Sequence, residues 1–329
     1  LICEAAKSTI APMSHTPRNN LASTLPSLRP WLLRALLAVL LAYPAACEKR
    51  QPPQPDAPAP RIISYSPALT DIVFGMGLGD HVVAVTNFCH LPPGEQRDRV
   101  GDRQHTSAES ILAMEPNLLL IQQNPEPFEA VRRLDDSIRV EHFDIETLTD
   151  VAEAIERVGE LVDKPDLGRR QRACFEQALA GVQQRVAARP RPRVLFVMGY
   201  DRPSTGGEGT FIDEMIAAAG GTNAAAEAGY SGWANLHREA IQKMAPEVLV
   251  CWVDNRAAAD EALAYWRGLE LPAGREGRIF IVTDARWTIP SMRSADFVRQ
   301  LAAMLHPEAF DENAGDIAST DTQPAGGGD

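Results

Sequence analysis

Residues 166–188 read DLGRRQRACFEQALAGVQQRVAA, and the reading of this stretch decides the fold. Leu167, Cys174, Phe175, Ala178, Leu179, Val182 and Val186 return at three- and four-residue steps, with Arg and Gln between them. That is the period of one apolar stripe on an α-helix. Pro165 stands just before it, and Pro190 and Pro192 just after. Proline lacks the N–H that a helix interior needs, so these mark its ends. The spacing predicts one continuous helix over 166–188, about 35 Å long at 1.5 Å per residue. A rod of that length can join two lobes.

Outward from the rod, strand and helix patterns alternate on both sides. Before it, Ile62–Tyr65, Val82–Val85, Asn117–Ile121 and Val140–Phe143 read as strands. Ser66–Met76, Glu109–Met114 and Leu148–Val162 read as helices. After it, Arg193–Met198, Val248–Trp252 and Ile279–Val282 are strands, and Phe211–Ala219, Ala257–Trp266 and Ser294–Leu305 are helices. Apolar strands separated by helices predict parallel sheets. The expected fold is α/β, with two parallel-sheet lobes bridged by a single long α-helix. The first lobe is placed at 61–165, the bridging helix at 166–189 and the second lobe at 190–308. The acidic, Gly-rich stretch 309–329 is expected to be a disordered tail.

The two lobes echo each other. Glu109-Ser-Ile-Leu-Ala-Met-Glu-Pro-Asn-Leu-Leu-Leu aligns without a gap on Glu239-Ala-Ile-Gln-Lys-Met-Ala-Pro-Glu-Val-Leu-Val. Glu, Ile, Met, Pro and the second Leu coincide. One glutamate therefore heads a helix at a matched position on each lobe. Thr106 and Glu109 have capping-box spacing, so Glu109 has a local task available, whereas Glu239 has no Ser or Thr three residues earlier. Matched carboxylates suit docking on a two-subunit partner, each pairing with an arginine of one subunit.

Phe88, Tyr200, Trp233 and Trp287 fall in loops after strands or beside Gly and Pro, while Trp252 and Trp266 fit the core pattern. Loops at the carboxyl ends of parallel strands are where α/β lobes hold ligands. A ring-lined cleft suits a large, flat, partly apolar molecule. His81, His90, His105, His142 and His237 show no metal-ligand spacing, so no directly held metal is expected. The chain carries no GxSxG elbow, no HExxH and no GxxxxGK loop, which speaks against an enzyme. The Gly-rich Ser204–Gly209 is readable as an anion-holding nest or as a plain turn. A net charge of −12 argues against nucleic acid as a partner.

Trp31–Leu41, behind Arg18 and Arg29 and ahead of small residues, reads as an export signal within a leader over 1–46. It is shorter than the about 20 residues of a membrane span. A start at Met13 gives a leader of more usual length, so residues 1–12 are expected to be a mis-called start or to follow a non-Met initiation. The Pro-rich stretch up to Pro60 is expected to be an extended tether. Cys89, Cys174 and Cys251 are expected to be buried free thiols, with a Cys89–Cys251 bridge left open.

Certain of these residues resemble a known family. Ile62–Asp80 (IISYSPALTDIVFGMGLGD), Val85–Pro93 (VTNFCHLPP), Val100-Gly101 and the segment from Glu109 resemble the vitamin B12 and iron-siderophore periplasmic binding proteins of ABC importers. Thr205-Gly206-Gly207, Gly220-Gly221-Thr-Asn223, Trp233, Arg238-Glu239 and Pro290-x-x-Arg293 continue the likeness, which spans about Arg61 to Pro307. Cys47 after Ala45-Ala46 resembles the lipidation site of bacterial lipoproteins, with plain secretion as the alternative. The resemblance implies a monomeric, exported, non-catalytic receptor that delivers its ligand to a permease, with Glu109 and Glu239 as docking points. Ligand contacts are expected at Tyr65, Phe88, Arg103, Tyr200, Trp233, Arg286, Trp287 and Arg293. Phe88 and Trp233 stand where the B12 binders place rings against the corrin. Arg103, Arg286 and Arg293 would suit an anionic chelate instead. The expected cargo is a corrinoid, with a ferric siderophore or haem as the alternative and no resident cofactor. A metallochaperone or an enzyme on the same scaffold is the competing class.

Overall fold

The computed structural model describes residues 59–102 and 105–310, together with the backbone of 323–324. The leader, Cys47, the tether up to residue 58, Arg103 and most of the expected tail lie outside the described residues.

In the first lobe, β1 (Ile62–Ser64) leads straight into α1 (Pro67–Gly75). Ser66 caps that helix, its hydroxyl accepting from the Leu69 N–H, and Pro67 sits where no N–H is required. The strands β2 (Val82–Val85), β3 (Asp98–Arg99), β4 (Leu118–Ile121) and β5 (Arg139–His142) complete a five-stranded sheet in the order β3-β2-β1-β4-β5. Every pair in it is parallel. Helices α2 (Ala108–Leu112), α3 (Glu129–Leu134) and α4 (Leu148–Leu161) connect or cover these strands.

Then comes the rod. Helix α5 runs unbroken from Pro165 to Val186, about 33 Å at 1.5 Å per residue. It crosses α4 closely because glycine meets glycine there: a Cβ added to Gly159 would lie 2.6 Å from Gly168 Cα. Phe175, Val182 and Val186 are its large buried residues, with Leu167, Ala178 and Leu179 packed partly against the same core.

The second lobe contains β6 (Arg193–Met198), β7 (Ser204–Gly206), α6 (Phe211–Ala218), β8 (Thr222–Asn223), α7 (Ala224–Glu227), β9 (Trp233–Asn235), α8 (Arg238–Met244) and β10 (Val248–Trp252). It closes with α9 (Arg256–Arg267), α10 (Pro272–Arg275), β11 (Ile279–Val282) and α11 (Ser294–Leu305). The sheet order is β11-β10-β6-β7-β9, with β8 also paired to β6. A two-residue β12 (Gln323–Pro324) lies antiparallel on β11. The β7–β9 ribbon is antiparallel, whereas every strand pair of the first lobe's sheet is parallel. The second lobe continues past 308, since Phe310 is buried in the core.

Strand alternation divides the interior. Leu118 and Leu120 of β4, and Val194, Phe196, Val248 and Val250 of the second sheet, belong to one core that includes α5 and runs through both lobes. Leu119 and Ile121 face a separate outer core of the first lobe, and Leu195, Val197, Leu249 and Cys251 one of the second. Runs such as Leu118–Ile121 are apolar throughout because both faces are covered. Trp266 is wholly buried and Trp252 packs partly against the shared core.

The structure decides three local readings. Cys89 and Cys251 are each buried and free, as expected, and form no bridge, whereas Cys174 is disulfide-bonded rather than a free thiol. Ser107, not Thr106, caps α2, because its hydroxyl is the one that reaches the Ser110 N–H at 3.2 Å. The Gly-rich stretch is spent on packing rather than open to an anion. Thr205 donates to Phe196 O, Asn223 donates to Gly206 O, and a Cβ at Gly207 would lie 2.2 Å from Tyr230 O.

Candidate ligand cleft and docking face

The carboxyl ends of the first lobe's parallel strands release the loops after β1, β2, β3 and β4 on one edge. The strand order reverses between β1 and β4, the position where such sheets hold ligands. On this edge Phe88 is 61% exposed, in a short loop braced beneath by Arg99, whose guanidinium donates to Thr86 O and Cys89 O. Its counterpart on the second lobe is Trp233, 46% exposed at the start of β9 and tilted against Phe211 at 5.6 Å. The antiparallel ribbon holds Trp233 out from the sheet, and its Nε1 donates across the lobes to Glu146 Oε2 at 3.4 Å.

Two more polar contacts tie the lobes. Glu214 of α6 accepts from the Leu148 N–H at the start of α4 at 2.6 Å, satisfying a helix-end donor from the opposite lobe. Arg293 donates to Asp71 Oδ1 of α1 at 2.9 Å. Beside this pair lies a cavity of about 630 Å³ lined from both lobes, by Phe74, His90, Leu91 and Pro92 on one side and by Asp254, Arg286 and Met292 on the other. Its charged groups are Asp71, Asp254, Asp284, Asp296, Arg286 and Arg293, so carboxylates outnumber guanidiniums. Burial alone would raise the Asp284 pKa, but hydrogen bonds from Arg286 outweigh it and hold the carboxyl below its ordinary range. The same hydrogen bond raises Arg286.

The expected contact residues therefore separate. Phe88 and Trp233 stand open, one on each lobe. Arg286 and Arg293 line the cavity and are each paired, with Asp284 and Asp71 respectively. Tyr65 is 1% exposed: its hydroxyl donates to Val100 O and its ring packs edge-on against Phe128. Trp287 is 3% exposed between Phe196 and Phe297. Both are interior residues, because each falls where a strand end or short helix folds back over its own lobe. Tyr200 is held against α9 by a 2.6 Å hydrogen bond to Glu261 and by the Tyr265 ring, apart from the two open rings. Asp71, Glu146, Asp284 and Glu214 are not singled out in the sequence. Single charged residues inside helix and loop patterns carry no periodic signal, and the partners of Asp71, Glu146 and Glu214 lie far along the chain.

Glu109 and Glu239 are both exposed, and each is the second residue of its helix, α2 or α8. Among the described residues no group of three His, Cys, Asp or Glu gathers as for a metal ion. Burial pushes the Cys251 thiol up to about 12, out of reach of thiolate chemistry.

Two α/β lobes joined by one rigid helix, with an open ring on each lobe, define a helical-backbone binding protein. Residues 62–285 match the periplasmic binding protein family, and the chain belongs to that family. It is 28% identical over 193 residues to a vitamin B12-binding protein of Photorhabdus laumondii, covering 58% of this chain and 70% of that one. It is 27% identical over 261 residues to an uncharacterized ABC transporter substrate-binding lipoprotein, YvrC, of Bacillus subtilis, covering 77% and 82%. Among solved structures, the periplasmic heme-binding protein RhuT from Roseiflexus sp. RS-1 superposes with a TM-score of 0.65 at 28% identity, covering 76% of this chain and 99% of that one.

Proposed function

We propose that this protein is the exported substrate-binding component of an ABC importer and that it captures a corrinoid between its lobes. It acts as a non-catalytic receptor, held at the membrane through a lipid on Cys47 and docked to the permease through Glu109 and Glu239. The observation that carries the cargo is the pair of open rings, Phe88 and Trp233. Among the described residues, the exposed large apolar side chains are these two and Leu134. Two such rings, one on each lobe, suit the two sides of a flat macrocycle. The excess of carboxylates in the cavity between the lobes supports a ligand whose rim carries amides over one whose rim carries carboxylates. Haem is the second reading, favoured by the likeness to RhuT.

Calorimetry of the mature domain with cobalamin tests the cargo. Saturable heat is expected, and Trp233→Ala should weaken binding at least tenfold, in keeping with about 1.4 kcal/mol or more for a lost ring contact. Absence of heat with cobalamin, alongside saturable binding of hemin, would transfer the protein to the haem reading. The lobes are expected to move little on binding, because a continuous helix resists hinge bending. A large ligand-dependent contraction in solution scattering would contradict that.

A further inference from the structure

We propose that the outer edge of β11 is a pairing surface for a second copy of this chain, and that the tail strand β12 keeps it covered. The parallel part of each sheet ends in an equivalent strand. In each lobe the helix–proline–strand unit is followed by further helix and then by the outermost parallel strand, β5 in the first lobe and β11 in the second. Such a strand turns half of its N–H and C=O groups away from the sheet, and these recruit another strand unless something meets them. In β5 the Arg139 N–H donates to Asn117 O and the Phe143 N–H to Ile121 O, so the odd-numbered residues face β4. Val140 and His142 point their carbonyls outward, where Arg132 and Arg157 donate to them at 3.0 and 3.1 Å. Arg139 and Glu141 add paired charges along the strand. Side chains guard that edge.

The edge of β11 is met differently. Its four residues, Ile279, Phe280, Ile281 and Val282, are uncharged and strand-favouring, the composition that pairs with other chains when exposed. The Leu249 N–H donates to Arg278 O and the Val253 N–H to Val282 O, so the even-numbered residues face β10. Ile279 and Ile281 therefore turn their N–H and C=O outward. There β12 lies antiparallel, with Phe280 opposite Pro324 and Ile281 opposite Gln323. In an antiparallel ladder, pairs that exchange two hydrogen bonds alternate with pairs that exchange none. Proline has no N–H, so Ile281 and Gln323 form the bonded pair, in agreement with the outward direction of Ile281. The cover hangs on Gln323, the one residue of β12 with an N–H to give. With β12 withdrawn, Ile279 and Ile281 of one copy meet Ile281 and Ile279 of another across a twofold axis. Each of these pairs exchanges two hydrogen bonds. The two Phe280 residues then face each other in the unbonded pair between them, with Cα atoms about 4.5 Å apart.

Sedimentation equilibrium of the full chain tests this. Wild-type protein should stay at the mass of one chain. Gln323→Pro removes the tail's donor without touching either lobe, and should carry the mass toward twice that value as concentration rises. Pro324→Ala should leave the mass unchanged, because the backbone nitrogen at 324 bonds to nothing on β11. Cross-linking reads the register. In the Gln323→Pro background, Phe280→Cys should form a disulfide between chains in the presence of oxidised glutathione, since about 4.5 Å between Cα atoms is within disulfide reach. Ile281→Cys in the same background should not, because it faces Ile279 of the other copy. A single-chain mass for Gln323→Pro, a dimer that Phe280→Cys fails to cross-link, or a wild-type dimer would each overturn the proposal.

Discussion

The helix–proline–strand unit of the first lobe and that of the second are the same device built twice, and they differ in one respect that matters. In both, a glutamate is the second residue of the helix, and a residue in left-handed backbone follows its last turn. These are Glu115 at φ 49° and Ala245 at φ 45°. Pro116 or Pro246 comes next, and then β4 or β10, each beside the central strand of its sheet. In both, an arginine from the start of that central strand caps the helix. Arg61 donates to Met114 O and Glu115 O, and Arg193 donates to Met244 O. Each arginine's own N–H is taken by the side chain after the proline, Asn117 at 2.8 Å and Glu247 at 2.7 Å. The difference lies at the helix start, where Ser107 caps α2 and no side chain caps α8. Since the repeat keeps the glutamate although the cap is lost, capping is not what the two glutamates share. Exposure and matched placement are.

The largest expected effect follows from that. Glu109→Ala combined with Glu239→Ala should abolish uptake of labelled cobalamin by cells carrying the permease, while calorimetric affinity for the ligand stays within twofold. Uptake that survives would reduce the pair to helix-end charges. Next, Arg61→Ala and Arg193→Ala should each cost about 1–2 kcal/mol in urea unfolding, through lost hydrogen bonds to helix-end carbonyls. Strongly unequal costs would break the equivalence of the two clamps. Ser107→Ala should cost about 1 kcal/mol and His237→Ala nothing measurable, since only the first removes a cap. The smallest effect is a gain: Glu115→Gly and Ala245→Gly should each add about 0.5 kcal/mol, because glycine accepts positive φ without a Cβ clash.

The lobes part company on the other side of the central strand. There the first lobe sets parallel β2 and β3 and presents Phe88 from a loop, while the second sets the antiparallel β7–β9 ribbon and presents Trp233 from a strand. The repeated halves thus carry the matched glutamates, and the unlike halves carry the rings. That division suits the docking and the cargo proposed above.

Much of this was legible in the chain. The 3.6-residue period, the flanking prolines and the apolar strand runs gave the rod and most elements to within a residue or two, because those signals are local. Phe88, Trp233 and the paired glutamates could be picked out for the same reason. Tyr65 and Trp287 could not be told apart from the open rings, since whether an aromatic faces the cleft or its own core depends on which residues fold over it. The pairing of the arginines was hidden in a similar way. Nothing near Arg293 in sequence announces Asp71, which belongs to the opposite lobe.

By itself, then, the sequence determined the class of fold, the stiff connection and the repeated acidic positions, all of which follow from periodicity and short-range spacing. Only the tertiary structure decided which rings stay open, which guanidiniums are already neutralised, and that Gln323–Pro324 returns to the edge of β11. Those outcomes depend on contacts between residues remote along the chain, where burial and pairing are set by packing and leave no local pattern to read.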